Sequence, residues 1–383
     1  MQILVPENVK KVIYTLEKSG YEAYVVGGSV RDSLLGLTPT DFDICTSALP
    51  ENIMGLFEKT VPTGIKHGTV TVISGGIPIE VTTFRTDGAY NDFRHPQKVK
   101  FVNDLKGDLS RRDFTVNALC YNDSIGIIDC FNGIYDINHK MLRTVGNADM
   151  RFKEDALRIL RLFRFASTLD FTIEKDTYKA AINNAHLLKN VSCERIREEL
   201  IKLSCGINPA AVLPLLNTDC IPGFKSNSDV TKIPSLPKKN NLKFFAFLHL
   251  CTDNISDAIS FLKCSNAFKD YSLRNKNALE LPCKTKPDIK RLLRLLETDI
   301  FDILCYKSAI CEKNTEEAIA ATKEIIKCEE PYKISQLAIT GDDLKDIGYS
   351  GKEVGEKLEL LLENVIINPD LNSKDKLLYI SSN

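Results

Sequence analysis

No apolar run in the sequence approaches the length needed to cross a bilayer, which removes the transmembrane classes from consideration. The opening residues, MQILVPENVK, lack the basic-then-apolar layout of a secretory leader. Twelve cysteines are scattered without one Cys-x-x-Cys, in a chain far too long for a disulfide scaffold. Reduced thiols in a cytoplasmic protein are the expectation. The histidines, at 67, 95, 139, 186 and 249, show no metal-ligand spacing, so zinc is not expected. Charge of either sign is not in excess: 50 Lys and Arg face 51 Asp and Glu, for a net −1. The protein is no bulk polycation, and any grip on nucleic acid must come from local basic surface. Internal repeats and low-complexity tracts are missing too.

What is present is an ordinary globular composition, 43% hydrophobic and 26% charged, over 383 residues. That length suggests roughly two to four domains. Residues 7–19 place Val9, Val12, Ile13 and Leu16 on one helical face, closed by Gly20. A second helix is predicted over 49–60, and 63–72 reads as a glycine-punctuated turn into a strand. Gly75 and Gly76 form a hairpin turn. In the return strand, 77–84, Ile77, Ile79 and Val81 alternate with Pro78, Glu80 and Thr82. Residues 85–98 are polar and loop-like, and beyond Asn147 the pattern is almost wholly helical. The fold class is therefore α+β.

The stretch around which the rest is organised is 25–45, VVGGSVRDSLLGLTPTDFDIC. A buried strand, 23–26, runs into two glycines and a short amphipathic helix over 29–35. Glycine lets backbone N–H groups approach a phosphate, and Gly28 stands where a helix N-terminus would add its partial positive charge. Arg31 falls in that helix's first turn, where a cation opposes the dipole and an anion would explain it. Strand alternation through Asp41, Phe42 and Asp43 throws both carboxylates to one face, where a hard cation such as Mg2+ would relieve their repulsion. A tight turn and a solvated strand end remain the plain alternatives for each part alone. Together they make a nucleotidyl-transfer site, with Asp41 and Asp43 as metal pair; Glu80, on a neighbouring strand, is either a third carboxylate or a solvated glutamate on a half-exposed strand.

GGSVRDSLLG followed by DFDI resembles the signature of the polymerase-beta-like nucleotidyltransferases. More narrowly, the chain resembles bacterial class II tRNA nucleotidyltransferases, the CCA-adding enzymes, and their poly(A) polymerase relatives. TGIKHGT at 63–69 looks like the family's GTxHGTV stretch, and His67 is given no chemical role. LSRRDFTVNAL at 109–119 matches the RRDFTxNA motif and reads as a helix capped by Ser110. The resemblance implies Arg112 on the triphosphate, with Asp113 and Asn117 near the ribose. MRFKEDALRILRLFRFA at 150–166 reads as one helix with Leu157, Leu160 and Phe163 inward and Asp155, Arg158, Arg161 and Arg164 as a polar stripe. EDALR matches the family's EDxxR element, which implies that Asp155 and Arg158 hydrogen-bond the base edge of the incoming CTP or ATP. A carboxylate accepts from the exocyclic amine that C and A share, and a guanidinium donates to a ring nitrogen or carbonyl. Arg161 and Arg164 are placed for phosphate or substrate backbone. SCERIREELIKL at 192–203 is similar to an ERIxxEL segment and reads as structural, with Glu194, Arg195, Glu198 and Glu199 paired along a helix.

Residues 231–300 carry 13 Lys and Arg against 7 Asp and Glu, either a solvated face or a hold on RNA backbone. The resemblance covers the first 205 residues in detail and the last 45 weakly, through ITGDDLKDIG. Strand signals thin out after Arg112 and the pattern turns helical beyond Asn147, which places a catalytic head at 1–146; a helical neck with base recognition at 147–205, a helical body at 206–330 and a tRNA-binding tail at 331–383 are expected to follow. The expected activity is template-independent addition of CCA to tRNA from CTP and ATP, with Mg2+ and no membrane partner. The loop at 87–96 is the one that CC-adding relatives shorten, so its presence favours addition of the terminal A. An A-adding specialist, a poly(A) polymerase and an inactive RNA-binding shell are the alternatives.

Overall fold

The computed structural model describes residues 3–88, 99–225 and 229–382. The chain divides into two compact units, residues 1–228 and 229–383.

The first unit opens with α1 (Glu7–Lys18), which buries Val9, Val12, Ile13 and Leu16 as its apolar spacing requires. Strand β1 (Ala23–Val26) is buried throughout and leads through the glycine corner into α2 (Gly28–Leu34). Strand β2 (Asp43–Thr46) pairs antiparallel with β1. Helix α3 (Pro50–Leu56) stops short of the predicted 49–60, because Phe57 is extended and the β-branched pair Thr60 and Val61 enters β3 (Thr60–Gly64). Strands β4 (Thr69–Ser74) and β5 (Ile77–Thr83) form the expected hairpin. Gly75 and Gly76 both take positive φ, as a two-residue primed turn demands. Short strands β6 (Arg85–Asp87) and β7 (Val99–Phe101) pair with each other; most of the loop at 87–96 lies outside the described residues.

Helix α4 (Leu105–Ser110) ends where the sequence suggested a helix beginning. Ser110 closes α4, its hydroxyl donating to the Gly107 carbonyl, and caps nothing. The helix predicted over 109–119 is replaced by an extended Phe114, a 3₁₀ turn at Thr115–Asn117, and β8 (Leu119–Asn122). The physical reason is local: the Asp113 carboxylate accepts from the Phe114 N–H at 2.8 Å, a side-chain bond that competes with helical pairing. Strand β9 (Gly126–Asp129) completes a seven-stranded sheet in the order β3-β4-β5-β2-β1-β8-β9, with β2 and β5 parallel. After α5 (Gly133–Asn138) and β10 (Met141–Leu142) the chain turns helical. The predicted single helix at 150–166 is two, α6 (Ala148–Glu154) and α7 (Leu157–Leu169). Asp155 between them is extended, and its carboxylate accepts from the Leu157 N–H at 3.1 Å, so it starts α7 rather than continuing α6. Strand β11 (Thr172–Ile173) pairs parallel with β10, and α8 (Lys175–Asn183), α9 (Cys193–Ser204) and α10 (Leu213–Leu216) follow.

The second unit is helical: α11 (Asn240–Cys251), α12 (Ile255–Phe261), α13 (Asn266–Glu280), α14 (Lys286–Leu296), α15 (Ile300–Ala309), α16 (Glu316–Lys327), α17 (Gly341–Asp346), α18 (Lys352–Ile367) and α19 (Lys374–Ser382). The last three share a core of Leu344, Val354, Leu361, Leu362, Val365 and Leu377. Among the described residues no helix is long and apolar enough to cross a membrane.

Candidate active site

The parallel pairing of β2 with β5 sets Ile44 beside Val81, which brings Asp43 level with Glu80 at the end of the sheet. Asp43 opens β2, whereas Asp41 stands before the strand, so the predicted alternation holds for one carboxylate only. Asp41, Asp43 and Glu80 are all exposed and line one cavity of about 650 Å³. Desolvation raises the pKa of Asp43, and the Glu80 carboxylate adds to the rise. The Arg112 cation opposes it, and Asp41 adds to it again. Asp43 thus feels two neighbouring carboxylates that raise its pKa and one cation, Arg112, that lowers it.

Among the described residues no group of three His, Cys, Asp or Glu side chains is ready to hold a metal ion. The donor set nonetheless fits a hard divalent cation, which is commonly bound through one or two carboxylates with substrate phosphates completing the shell. Like charges gathered at Asp43 are what such a cation would relieve.

On the arginine side, Gly27 has φ +83°, and a Cβ there would lie 3.1 Å from Arg112 Nη1. The missing side chain leaves room for the guanidinium over the corner. Gly28 begins α2 and lies beside Arg31. Arg31 is buried, donating from Nε to Asp32 at 2.9 Å and from Nη1 to the Asn117 side-chain oxygen. The Asn117 amide donates to Asp113 at 3.0 Å, and Arg161 donates to the other Asp113 oxygen at 2.9 and 2.6 Å. Burial alone would raise the Asp113 pKa. The Arg161 guanidinium and the Asn117 hydrogen bond outweigh it and hold the carboxyl far below the usual range. Asp113, Asn117 and Arg31 are thus brought together, with their polar atoms engaged by protein partners.

Arg158 donates to Glu154 at 2.7 Å and to the carbonyls of Arg151 and Arg111. Asp155 instead accepts a bidentate pair from Arg195 at 3.3 and 3.0 Å. The two base-reading candidates sit side by side, each fixed by a different partner. Arg164 pairs with Glu199 and stacks over Phe165 at 3.6 Å, and desolvation pushes its pKa down to about 10. Arg31 and Arg161 approach the same ring at 5.0 and 5.5 Å. The reading of Arg195 and Glu199 as partners along α9 is therefore corrected: both reach across to residue 155 and helix α7.

Sequence reasoning missed Asp108 and Phe165, and it gave Arg195 and Glu199 the wrong partners. Asp108 is fully buried, accepting from Arg111 and from the Arg85 N–H, with Arg112 Nη2 at 3.8 Å. Its i,i+3 and i,i+4 spacing to Arg111 and Arg112 was the signal available. Phe165 carried none, since a phenylalanine on an apolar helix reads as core.

A family model described as the poly A polymerase head domain matches residues 23–143. A second, described as a probable RNA and SrmB-binding site of polymerase A, matches residues 170–219. A curated CCA-adding enzyme of Lactobacillus helveticus is 38% identical over 376 residues, 95% of this chain and 94% of that one. The chain belongs to the CCA-adding enzyme family. Another CCA-adding enzyme, of Ligilactobacillus salivarius, is 51% identical over 208 residues; that alignment spans 54% of this chain and 52% of the relative. The crystal structure of the Bacillus stearothermophilus CCA-adding enzyme in complex with CTP aligns with a TM-score of 0.85 at 31% identity, over 99% of this chain and 97% of that one. CCA-adding enzymes are nucleotidyltransferases that generally use a divalent metal.

Proposed function

We propose that this protein adds the 3′-terminal C, C and A to tRNA in the cytoplasm, taking CTP and ATP without a nucleic-acid template and releasing pyrophosphate, with Mg2+ as its metal. The observation that carries the reading is the meeting at Asp43 of a carboxylate cluster and an arginine, in a chain 38% identical to a CCA-adding enzyme over 95% of its length. Asp41 and Asp43, with Glu80 beside them, would hold the metal. Bound there, a divalent ion supplies a Lewis acid for the acceptor hydroxyl and the triphosphate oxygens.

The remaining work belongs to the chain's own side chains. Arg112 and Arg31, beside the Gly27 and Gly28 corner, hold the triphosphate, while Asp113 and Asn117 keep Arg31 and Arg161 in place near the ribose. Asp155 accepts from the base's exocyclic amine, and Arg158 donates from the part of its fork that protein carbonyls leave open. Arg161 and Arg164 add positive charge behind them. In domain terms, residues 1–146 form the catalytic head, 147–205 the base-reading neck, and 206–330 and 331–383 the helical body and tail that hold the tRNA.

Asp41→Ala tests the metal pair. Incorporation into a tRNA transcript should fall by at least about a thousandfold, while tRNA affinity, measured by filter binding, stays within about twofold. A variant that still adds nucleotides at the parental rate removes Asp41 from the site.

A further inference from the structure

We infer that Phe165 is a positioning residue: its ring on α7 is the common seat that sets Arg31, Arg161 and Arg164 for the nucleotide. The inference rests on the nucleotide contacts proposed above for those arginines. Phe165 is only 5% exposed, and three guanidinium groups gather around its ring. Arg164 lies 3.6 Å from the centroid, Arg31 5.0 Å and Arg161 5.5 Å, all within reach of a cation–π attraction. Two of these cations come from α7 itself, whereas Arg31 comes from α2, next to the glycine corner. The edge-to-face packing of Phe114 at 5.7 Å fixes the plane of the ring.

An ordinary core phenylalanine would be the plain account, but the surrounding charge argues against it. Three cations gathered at one point repel one another. Arg164 registers this: desolvation is the main cause of its lowered pKa, Arg161 and Arg31 lower it further, and Glu199 opposes them. Each cation has a carboxylate beside it, Asp32 for Arg31, Asp113 for Arg161 and Glu199 for Arg164. These pairs offset charge but leave Arg164 poorly aimed. Its Nε is 2.6 Å from Glu199 Oε2, yet among the described residues neither atom has an aligned hydrogen-bond partner. The ring face 3.6 Å away supplies the orientation that the ion pair does not.

Arg158 stands on the same helix. The ring thereby registers the side chain proposed to read the base against the arginine proposed to hold the triphosphate. A leucine would fill similar space with no negative face, and each incoming nucleotide would have to order Arg31 and Arg164 afresh.

The test removes the attraction and keeps the shape. In the full chain, Phe165 is replaced by monofluoro-, difluoro- and trifluorophenylalanine, which drain the ring's negative face step by step, and by leucine as Phe165→Leu. The same series at Phe163, a buried ring on α7 that packs edge-on to Tyr178, is the control. The dissociation constant for CTP, measured by calorimetry without RNA, should rise with each fluorine at 165 and reach about tenfold with three. Phe165→Leu should match or exceed that rise. At 163 the constant should stay within about twofold throughout. A flat fluorine series at 165 overturns the inference, and so does an equal rise at 163 or a rise with leucine alone, since either means packing only. A parent that binds no CTP removes the proposed nucleotide contacts and the inference with them. A parent that binds CTP with a flat series at 165 overturns the inference alone.

Discussion

At the scale of single residues, the site is built from arginines that are held rather than free. Arg158 is tied to Glu154 and two carbonyls, Arg161 to Asp113, and Arg164 to Glu199. Fixing a guanidinium before substrate arrives removes the entropy of ordering it later, which suits the base-reading role proposed for Arg158. Replacing Arg158 with Ala should therefore relax base choice more than it weakens triphosphate affinity. With all four nucleotides offered to a CC-ended transcript, the misincorporated fraction should rise by about tenfold or more, a loss of roughly 1–3 kcal/mol of discrimination. Unchanged selectivity would remove Arg158 from base reading.

Asp113 gives a second residue-scale prediction. Its folded-state pKa is depressed, so its contribution to stability is fully present above the unfolded-state value near 4 and is lost as pH falls toward the folded-state value. Asp113→Asn leaves Arg161 without its closest carboxylate and should cost roughly 3 kcal/mol at pH 7. In urea unfolding, the gap between parent and variant should narrow on acidification below about pH 4. A gap that stays constant down to pH 3 would show that the pair does not stabilise the fold through ionisation.

At the scale of elements, strands β1, β2, β4 and β5 were legible, whereas β3, β8, β9 and the active-site helices were not. The burial of β1, the Gly75 and Gly76 turn and the alternation around Glu80 follow from local chemistry, and they placed Asp43 and Glu80 correctly on neighbouring strands. The two misread helices fail for one shared reason. At Asp113 and at Asp155 a short acidic side chain bonds a following backbone N–H and ends or restarts the helix, while apolar spacing on either side still looks continuous. These same two residues are among those proposed to serve the site. Long-range partners such as Arg195 for Asp155 leave no mark in local spacing.

The junction of α7 and α9 shows how tightly these helices are set. A Cβ at Gly206 would come within 2.7 Å of the Ser167 backbone, whose carbonyl already accepts from Ile207 and Asn208. Gly206→Ala should lower the unfolding free energy by about 2–3 kcal/mol through overpacking. Gly55→Ala in α3, where a Cβ meets nothing within 4 Å, should leave the urea midpoint unchanged or slightly raised. Equal effects at the two positions would contradict the tight α7–α9 junction.

At the scale of the whole molecule, the local count of basic residues overstated what is available for RNA. Within the second unit, Lys239 pairs with Asp302, Lys286 and Lys290 with Glu330, Arg291 with Glu363 and Arg294 with Glu359. These partners lie outside residues 231–300, so a window count could not see them. Much of the apparent surplus ties helices of the second unit together, and the grip on tRNA must use the basic side chains left over.

Complete CCA synthesis by one chain is the claim on which the functional reading stands. Transcripts of one tRNA ending at the discriminator base, at C and at CC are incubated with the protein, Mg2+, CTP and ATP, and their 3′ ends are sequenced. All three should finish as CCA, without further extension. Extension of the CC-ended transcript alone would make the protein an A-adding specialist, long A tails a poly(A) polymerase, and no extension a binding protein; any of these contradicts the assignment.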